Sequence, residues 1–349
     1  MGTTAFDPAR QGIVLNPTYL TGGVHLPSLG LWLDGQKRRL RPERVFVSHA
    51  HSDHIARHEE VILTPTTSSF MRARLRGDRI EHRLSYGQTQ AFADSPFPFN
   101  LTMLPAGHIP GSAMALVECE GGSLLYTGDF KLRTGLVAEP CEPRRADVLV
   151  IEATFGRPCY RFPPAETTWE AIIGFCQQTL KAGQTPVLLG YSLGKAQELA
   201  AGVVRAGLPV MLHRAAHQMS EIHTRCGSPF PLPTLFDADS VSGNVIVSPP
   251  FERSLLSALP AGSRTAVCTG WALDSGCRFR YGTDAAFPLS DHADFAELLE
   301  MVDRVEPKKV LTLHGFAADL AQALRDRGID AHAISEPDQL CLPLFAPHQ

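Results

Sequence analysis

Five short apolar runs in this chain lead into side chains that can hold a metal ion or move a proton. Val45 to Val47 leads into His49-Ala50-His51-Ser52-Asp53-His54, and Phe97 to Leu104 precedes His108. Ser123 to Tyr126 precedes Asp129, Val148 to Ile151 ends at Glu152, and Val310 to Leu313 ends at His314. Short β-branched and aliphatic runs between Gly, Pro and Asp punctuation read as strands. Layered α/β folds place their chemistry at the carboxyl ends of strands. This punctuation therefore points to an α/β fold with its reactive groups at the strand ends.

The same reading gives strands at Ile13 to Leu15, Gly30 to Leu33 and Ala113 to Glu118, and a helix over Thr66 to Arg76. From about residue 165 the texture changes. Helices over Glu166 to Lys181 and Lys195 to Arg205 alternate with strands at Pro186 to Leu189, Pro209 to Leu212, Val245 to Ser248 and Thr265 to Thr269. Such a βα series implies a small parallel sheet. The turn-rich stretch Cys226 to Pro233 interrupts it. Ser290-Asp291-His292-Ala293-Asp294 then opens a helix over Phe295 to Val305.

The chain has 349 residues, of which 44% are hydrophobic and 19% charged, which suits about two globular domains. No apolar run is long enough to span a bilayer, and the first residues lack a basic region followed by an apolar core, so neither a membrane span nor a signal peptide is expected. The eight cysteines, Cys341 among them, form no Cys-x-x-Cys pair; they read as reduced, buried thiols of a cytoplasmic protein. Net charge is −4, unlike a protein that coats nucleic acid with its whole surface. Basic residues do cluster, however: Lys37, Arg38, Arg39, Arg41 and Arg44, then Arg72, Arg74, Arg76, Arg79 and Arg83. Each cluster reads equally well as a phosphate-contacting stripe or as a solvated face.

Three histidines and an aspartate within six residues suit zinc or a similar transition metal. One short loop cannot aim all four groups at one centre, so two ions are expected. His49, His51 and His108 would hold one; Asp53, His54 and His314 the other. Asp129, with two carboxylate oxygens, would bridge them. His58, His213, His217 and His223 have only helical or loop spacing and read as non-ligands. Asp34 reads as either a turn residue or a partner that steadies a ligating histidine.

The H-x-H-x-D-H run, with its later His and Asp, resembles the signature of the metallo-β-lactamase superfamily, and the resemblance covers the whole chain. Glu152 in Ile-Glu-Ala-Thr-Phe, His292 in Ser-Asp-His-Ala-Asp, and His314 are similar to motifs A, B and C of the β-CASP branch, nucleases that act on DNA or RNA. Gly194 to Glu198 is similar to a helix start in the β-CASP cap. The resemblance implies an αββα core from 1–160 and 288–349, interrupted by an α/β cap over 161–287. It implies a two-metal hydrolysis of phosphodiesters with zinc or manganese, in which Asp53 belongs to the catalytic loop. His292 would be the general acid, oriented by Glu152. Within the branch the length most resembles bacterial exonucleases linked to DNA ligase. That implies DNA repair, DNA as substrate, functional association with a ligase and a helicase, and no membrane. A His at motif C is a mark of the branch's RNA enzymes, so an RNA-processing ribonuclease is the alternative. A thioesterase or lactonase of the same superfamily and a non-catalytic scaffold are further alternatives; the first would lack the cap motifs and the second would have lost ligands.

Gly190-Tyr191-Ser192-Leu193-Gly194 matches G-x-S-x-G, the nucleophile elbow of serine hydrolases, between a strand and a helix. That reading leaves the histidine loop without a purpose. Ser192, Gly194 and Lys195 are instead expected to grip a substrate phosphate at the helix N-terminus. Trp32, Trp169, Trp271 and Tyr281 read as core residues or as platforms for unpaired bases.

Overall fold

The computed structural model describes residues 15–20, 22–250, 259 and 261–335. The expected strand at Ile13 to Leu15 and the cysteine at 341 fall wholly or partly outside these residues. Three sheets organise the chain. The first runs Thr18–Leu20, Gly23–Leu26, Leu31–Leu33, Arg44–Phe46, Glu60–Leu63, Ile80–Arg83. The second runs Ala331–Ala333, Lys309–Leu313, Val148–Glu152, Gly122–Tyr126, Ala113–Cys119, Phe99–Pro105, Thr89–Phe92.

Strand periodicity of two explains how these sheets stack. Leu33, Phe46 and Ile62 face Leu101, Met103, Val117, Leu124, Tyr126 and Leu311 across a continuous core between the two sheets. The alternate residues of the second sheet, Leu104, Met114, Leu116, Leu125, Leu149 and Ile151, meet Leu298, Met301 and Val302 of the helix Phe295–Val305 and Leu320 and Leu324 of the helix Ala317–Asp326. The alternate residues of the first sheet, Val45, Val47, Val61 and Leu63, meet Phe70 and Met71 of the helix Pro65–Arg74. Both faces of both sheets are covered, which gives the αββα sandwich. It also explains why the strands read as unbroken apolar runs.

The third sheet, Thr234–Leu235, Val210–Leu212, Val245–Ser248, Pro186–Leu189, Arg264–Cys268, Ala285–Phe287, is parallel throughout. The helices Ala165–Lys181 and Lys195–Arg205 cover one face through Ile172, Cys176, Leu199 and Val203. A further helix, Arg214–Arg225, turns Met219 and Ile222 toward the helix-covered face of the first sheet, where Leu193 also packs. The inserted segment thus rests on the core through apolar contacts.

Register positions the site. Val148–Glu152 pairs in parallel with both Gly122–Tyr126 and Lys309–Leu313, with Tyr126 opposite Val150 and Glu152 opposite Leu313. Asp129, Glu152 and His314 therefore emerge at one edge of the second sheet. Phe99–Pro105 points the same way, since two antiparallel pairings separate it from Gly122–Tyr126. The amide of Ala113 donates to the Ser48 carbonyl at 2.8 Å and ties the first sheet's histidine loop to that edge.

Candidate metal centre

His49 and His108 are fully enclosed, and one ring nitrogen of each of His49, His51, His54 and His108 is already committed. His51 Nε2 lies 3.1 Å from the Leu193 carbonyl and His108 Nδ1 lies 2.9 Å from the Asp291 carbonyl. A carbonyl oxygen only accepts, so those nitrogens carry the protons. The opposite nitrogens, His51 Nδ1 and His108 Nε2, are then bare lone pairs facing each other at 3.2 Å. His49 Nε2 joins them at 3.0 Å from His51 Nδ1, while Ser48 Oγ holds its Nδ1 at 2.9 Å. Protonation is not the remedy: burial pushes His49, His51 and His108 below the ordinary imidazole range. Converging lone pairs that protonation does not relieve suit a cation. His49, His51, His108 and Asp129 each bring a ligand atom to within 4.8 Å of the others, which fits a metal.

Asp129 sits at the junction of two groups. Its Oδ2 is 3.5 Å from His49 Nε2, 3.4 Å from His54 Nε2 and 3.8 Å from His108 Nε2. Burial opposes its ionisation, but His54 and His292 outweigh burial and hold the carboxyl well below its usual range. The second group is Asp129, Glu152 and His292. Glu152 is buried and accepts from the Phe130 amide at 2.9 Å and from the Thr154 hydroxyl. Both its oxygens lie 3.1 Å from His292 Nδ1. Burial disfavours charge on His292; Glu152 and Asp129 outweigh burial and raise it to about 9.

His54 Nδ1 donates to Asp34 Oδ2 at 2.8 Å, leaving Nε2 toward Asp129. Asp34, in a left-handed turn (φ 52°), also accepts from the Ser48 amide, the Ser48 hydroxyl and the Tyr126 hydroxyl. It is therefore the partner that steadies the loop. Burial opposes charge on His54, and Asp129, Asp53 and Asp34 overcome it and raise this imidazole well above 6.5. Asp53 is 3.7 Å from His54 Nε2. His314 stands slightly apart: its ring centre is 6.3 Å from that of His54, and its backbone is left-handed (φ 60°). Gly315 follows because a Cβ there would lie 2.5 Å from the Ala153 carbonyl.

Other candidate residues lie elsewhere. Lys195 is not free to grip a phosphate. It is buried, with Nζ 2.7 Å from Asp291 Oδ1 and 2.7 Å from the Leu289 carbonyl. The Gly194 amide is likewise taken by Gln197 Oε1 at 2.7 Å. Ser192 Oγ meets Arg74 Nη2 at 3.5 Å rather than a histidine, which also removes the serine-hydrolase reading. The two basic clusters are partly paired with acids. Arg38 pairs with Glu59, Arg41 and Arg44 with Glu60, and Arg72, Arg79 and Arg83 surround Glu81. Trp32 is buried beside His25 under Arg39, Trp169 packs on Gly202, and Trp271 packs on Phe155. His58 is a buried non-ligand, donating from Nε2 to the Gly35 carbonyl at 3.1 Å.

The metallo-beta-lactamase superfamily matches residues 31–169, the stretch that carries the histidine loop, His108, Asp129 and Glu152. The chain belongs to the metallo-β-lactamase superfamily. A second family, described as the Zn-dependent metallo-hydrolase RNA specificity domain, matches residues 285–334 and so includes His292 and His314. A "Probable DNA ligase" of Opitutus terrae is 50% identical over 91% of this chain but only 31% of its own length. "5' exonuclease Apollo" of Gallus gallus is 27% identical over 77% of this chain and 58% of its own. An "RNase J-like protein" of Methanocaldococcus jannaschii is 28% identical over 45% of this chain and 42% of its own. This chain thus spans between about a third and three fifths of the relatives' own lengths. A solved structure of a protein of unknown function from Enterococcus faecalis V583 shares the fold, with a TM-score of 0.57 at 14% identity over 84% of this chain and 79% of that one.

Residue types alone did not single out Ser48, Thr154 or the Leu193 carbonyl. A carbonyl leaves no trace in side-chain chemistry, and Ser48 and Thr154 act only through their contacts with Asp34 and Glu152.

Proposed function

We propose that this chain is a metal-dependent nuclease that cleaves the phosphodiesters of DNA as an exonuclease in repair, in the cytoplasm, beside a ligase and a helicase. The observation that carries the nuclease reading is the Glu152–His292 pair, 3.1 Å apart beside Asp129. A metal centre alone serves many hydrolases. A thiolate leaving group departs without help, whereas a nucleotide's alkoxide is a poor leaving group and needs a proton. His292, held charged by Glu152, keeps that proton near neutral pH, with Nδ1 engaged and Nε2 available to the substrate.

The donor set favours two divalent ions, zinc or manganese: His49, His51, His108 and Asp129 toward one, Asp129, Asp53, His54 and His314 toward the other. Such ions supply Lewis acidity and an acidified water. The chain's own residues orient them: Ser48, Leu193, Asp291 and Asp34 fix which nitrogen of each histidine points inward.

DNA is favoured because a chain half identical to this one forms part of a protein named a DNA ligase. The RNA specificity family over 285–334 and the RNase J-like relative favour RNA as the second reading. End-labelled DNA and RNA strands of one sequence, incubated with Mn²⁺ or Zn²⁺, separate them. Degradation of DNA from one end is expected. Cleavage of RNA alone would transfer the chain to the second reading, and turnover of a thioester with neither strand touched would remove the nuclease reading.

A further inference from the structure

The Gly190–Gly194 motif and Lys195 serve neither as nucleophile nor as phosphate grip, yet they are among the most constrained residues in the molecule. Gly194 adopts φ +89°, and a Cβ there would lie 2.2 Å from Ile109 Cγ2 in the His108 loop. The preceding residue, Leu193, is fully buried in the core cluster of the first sheet and its carbonyl accepts from His51 Nε2. The following residue, Lys195, is a nearly inaccessible ammonium that holds Asp291 Oδ1, and the Asp291 carbonyl accepts from His108 Nδ1. Three consecutive residues at the start of one helix of the inserted segment therefore fix two ligand-type histidines. One histidine is held directly, the other through Asp291.

We infer that Leu193-Gly194-Lys195 is a clamp by which the inserted segment sets the metal affinity of the core. Lys195 and Asp291 are positioning residues. Each of the two carbonyls determines which nitrogen of its histidine is bare, so both must be in place before the lone pairs converge. Seating this helix start and loading the metal are consequently coupled, and each strengthens the other. The inference rests on the reading of His51 and His108 as ligands.

The test is metal binding itself. Full-length protein, stripped and reloaded, is titrated with Zn²⁺ against a chromogenic chelator, and its Co²⁺ form is followed by visible absorption. Lys195→Met and Asp291→Asn are each expected to bind Zn²⁺ about 10–100-fold more weakly and to shift the Co²⁺ bands, the range typical of lost outer partners. The double variant is expected to be little worse than either single one, because both break the same link. Ile172→Ala, which loosens the inserted segment away from the clamp, is expected to lower thermal stability and leave Zn²⁺ affinity unchanged. Wild-type affinity and spectrum in both folded single variants would overturn the clamp, as would an equal loss in Ile172→Ala. Wild-type protein that binds neither ion would instead overturn the metal centre, a distinct result.

Discussion

At the scale of single residues, function follows from which atom of each side chain is left free. Asp129 reaches three histidines and joins both groups of the site. Asp129→Ala is expected to remove bound metal and all measurable hydrolysis, by elemental content and oligonucleotide assay. His292 lies beside Asp129, its ring centre 4.7 Å from that of His108 and its Nδ1 taken by Glu152. His292→Ala is expected to keep the metal and slow turnover by about 10²–10⁴-fold, the usual worth of a positioned acid. Loss of metal in that variant would reassign His292 as a ligand. The acid is active when protonated, so turnover is expected to fall on the alkaline side as His292, whose charge Glu152 favours, loses its proton. Glu152 is the largest influence that raises this imidazole, whereas burial lowers it. In Glu152→Gln the alkaline limb of the rate profile is therefore expected to move to lower pH; an unmoved limb would exclude His292 as its source.

At the scale of elements, the segment that carries His292 is pinned by the helix behind it. Asp294 accepts from the Glu297 amide at 3.0 Å and Glu297 returns the bond to the Asp294 amide at 3.0 Å, a reciprocal capping box. Asp294 Oδ2 also accepts from the Phe162 amide at 2.9 Å, tying the helix to the start of the inserted segment. Asp294→Ala is expected to cost about 0.5–2 kcal/mol in denaturant unfolding. Asp291, three residues earlier, is not the cap: its carboxylate belongs to Lys195. The pattern Ser-Asp-His-Ala-Asp contains both acids, and spacing to the first apolar turn favours Asp294, whereas the role of Asp291 depends on a helix nearly a hundred residues away. Element boundaries were largely legible. Pro186–Leu189, Lys195–Arg205, Val245–Ser248 and Phe295–Val305 lie where the pattern puts them. Ile80–Arg83 and Thr89–Phe92 left little trace, because edge strands with one or two apolar residues carry no periodicity.

For the whole molecule, the binding energy of the metal is part of the stability of the fold, since the ligand loops come from both sheets and are braced by the inserted segment. Chelation is expected to lower the melting temperature by several degrees. A metal at a hundred times its dissociation constant contributes about 2.7 kcal/mol. An unchanged melting curve in the metal-free protein would mean that the site does not hold an ion. Charge behaves differently at this scale. The arginine clusters read from sequence as possible phosphate contacts are drawn to Glu59, Glu60 and Glu81, so the surface offers less free positive charge than its spacing suggests. The exposed Phe279, beside Arg278, had no distinguishing sequence pattern.

The sequence by itself determined the layered α/β class, the strand ends that carry chemistry, and the residue types that can hold a metal, because strand periodicity and ligand chemistry are both local properties. Tertiary structure alone decided which nitrogen of each histidine is bare and which charges are spent on one another. It also decided that the Gly194 amide and the Lys195 ammonium are taken by Gln197 and Asp291. Those outcomes depend on carbonyls and carboxylates brought from up to 183 residues away, as between His108 and Asp291, and no local pattern encodes such a meeting.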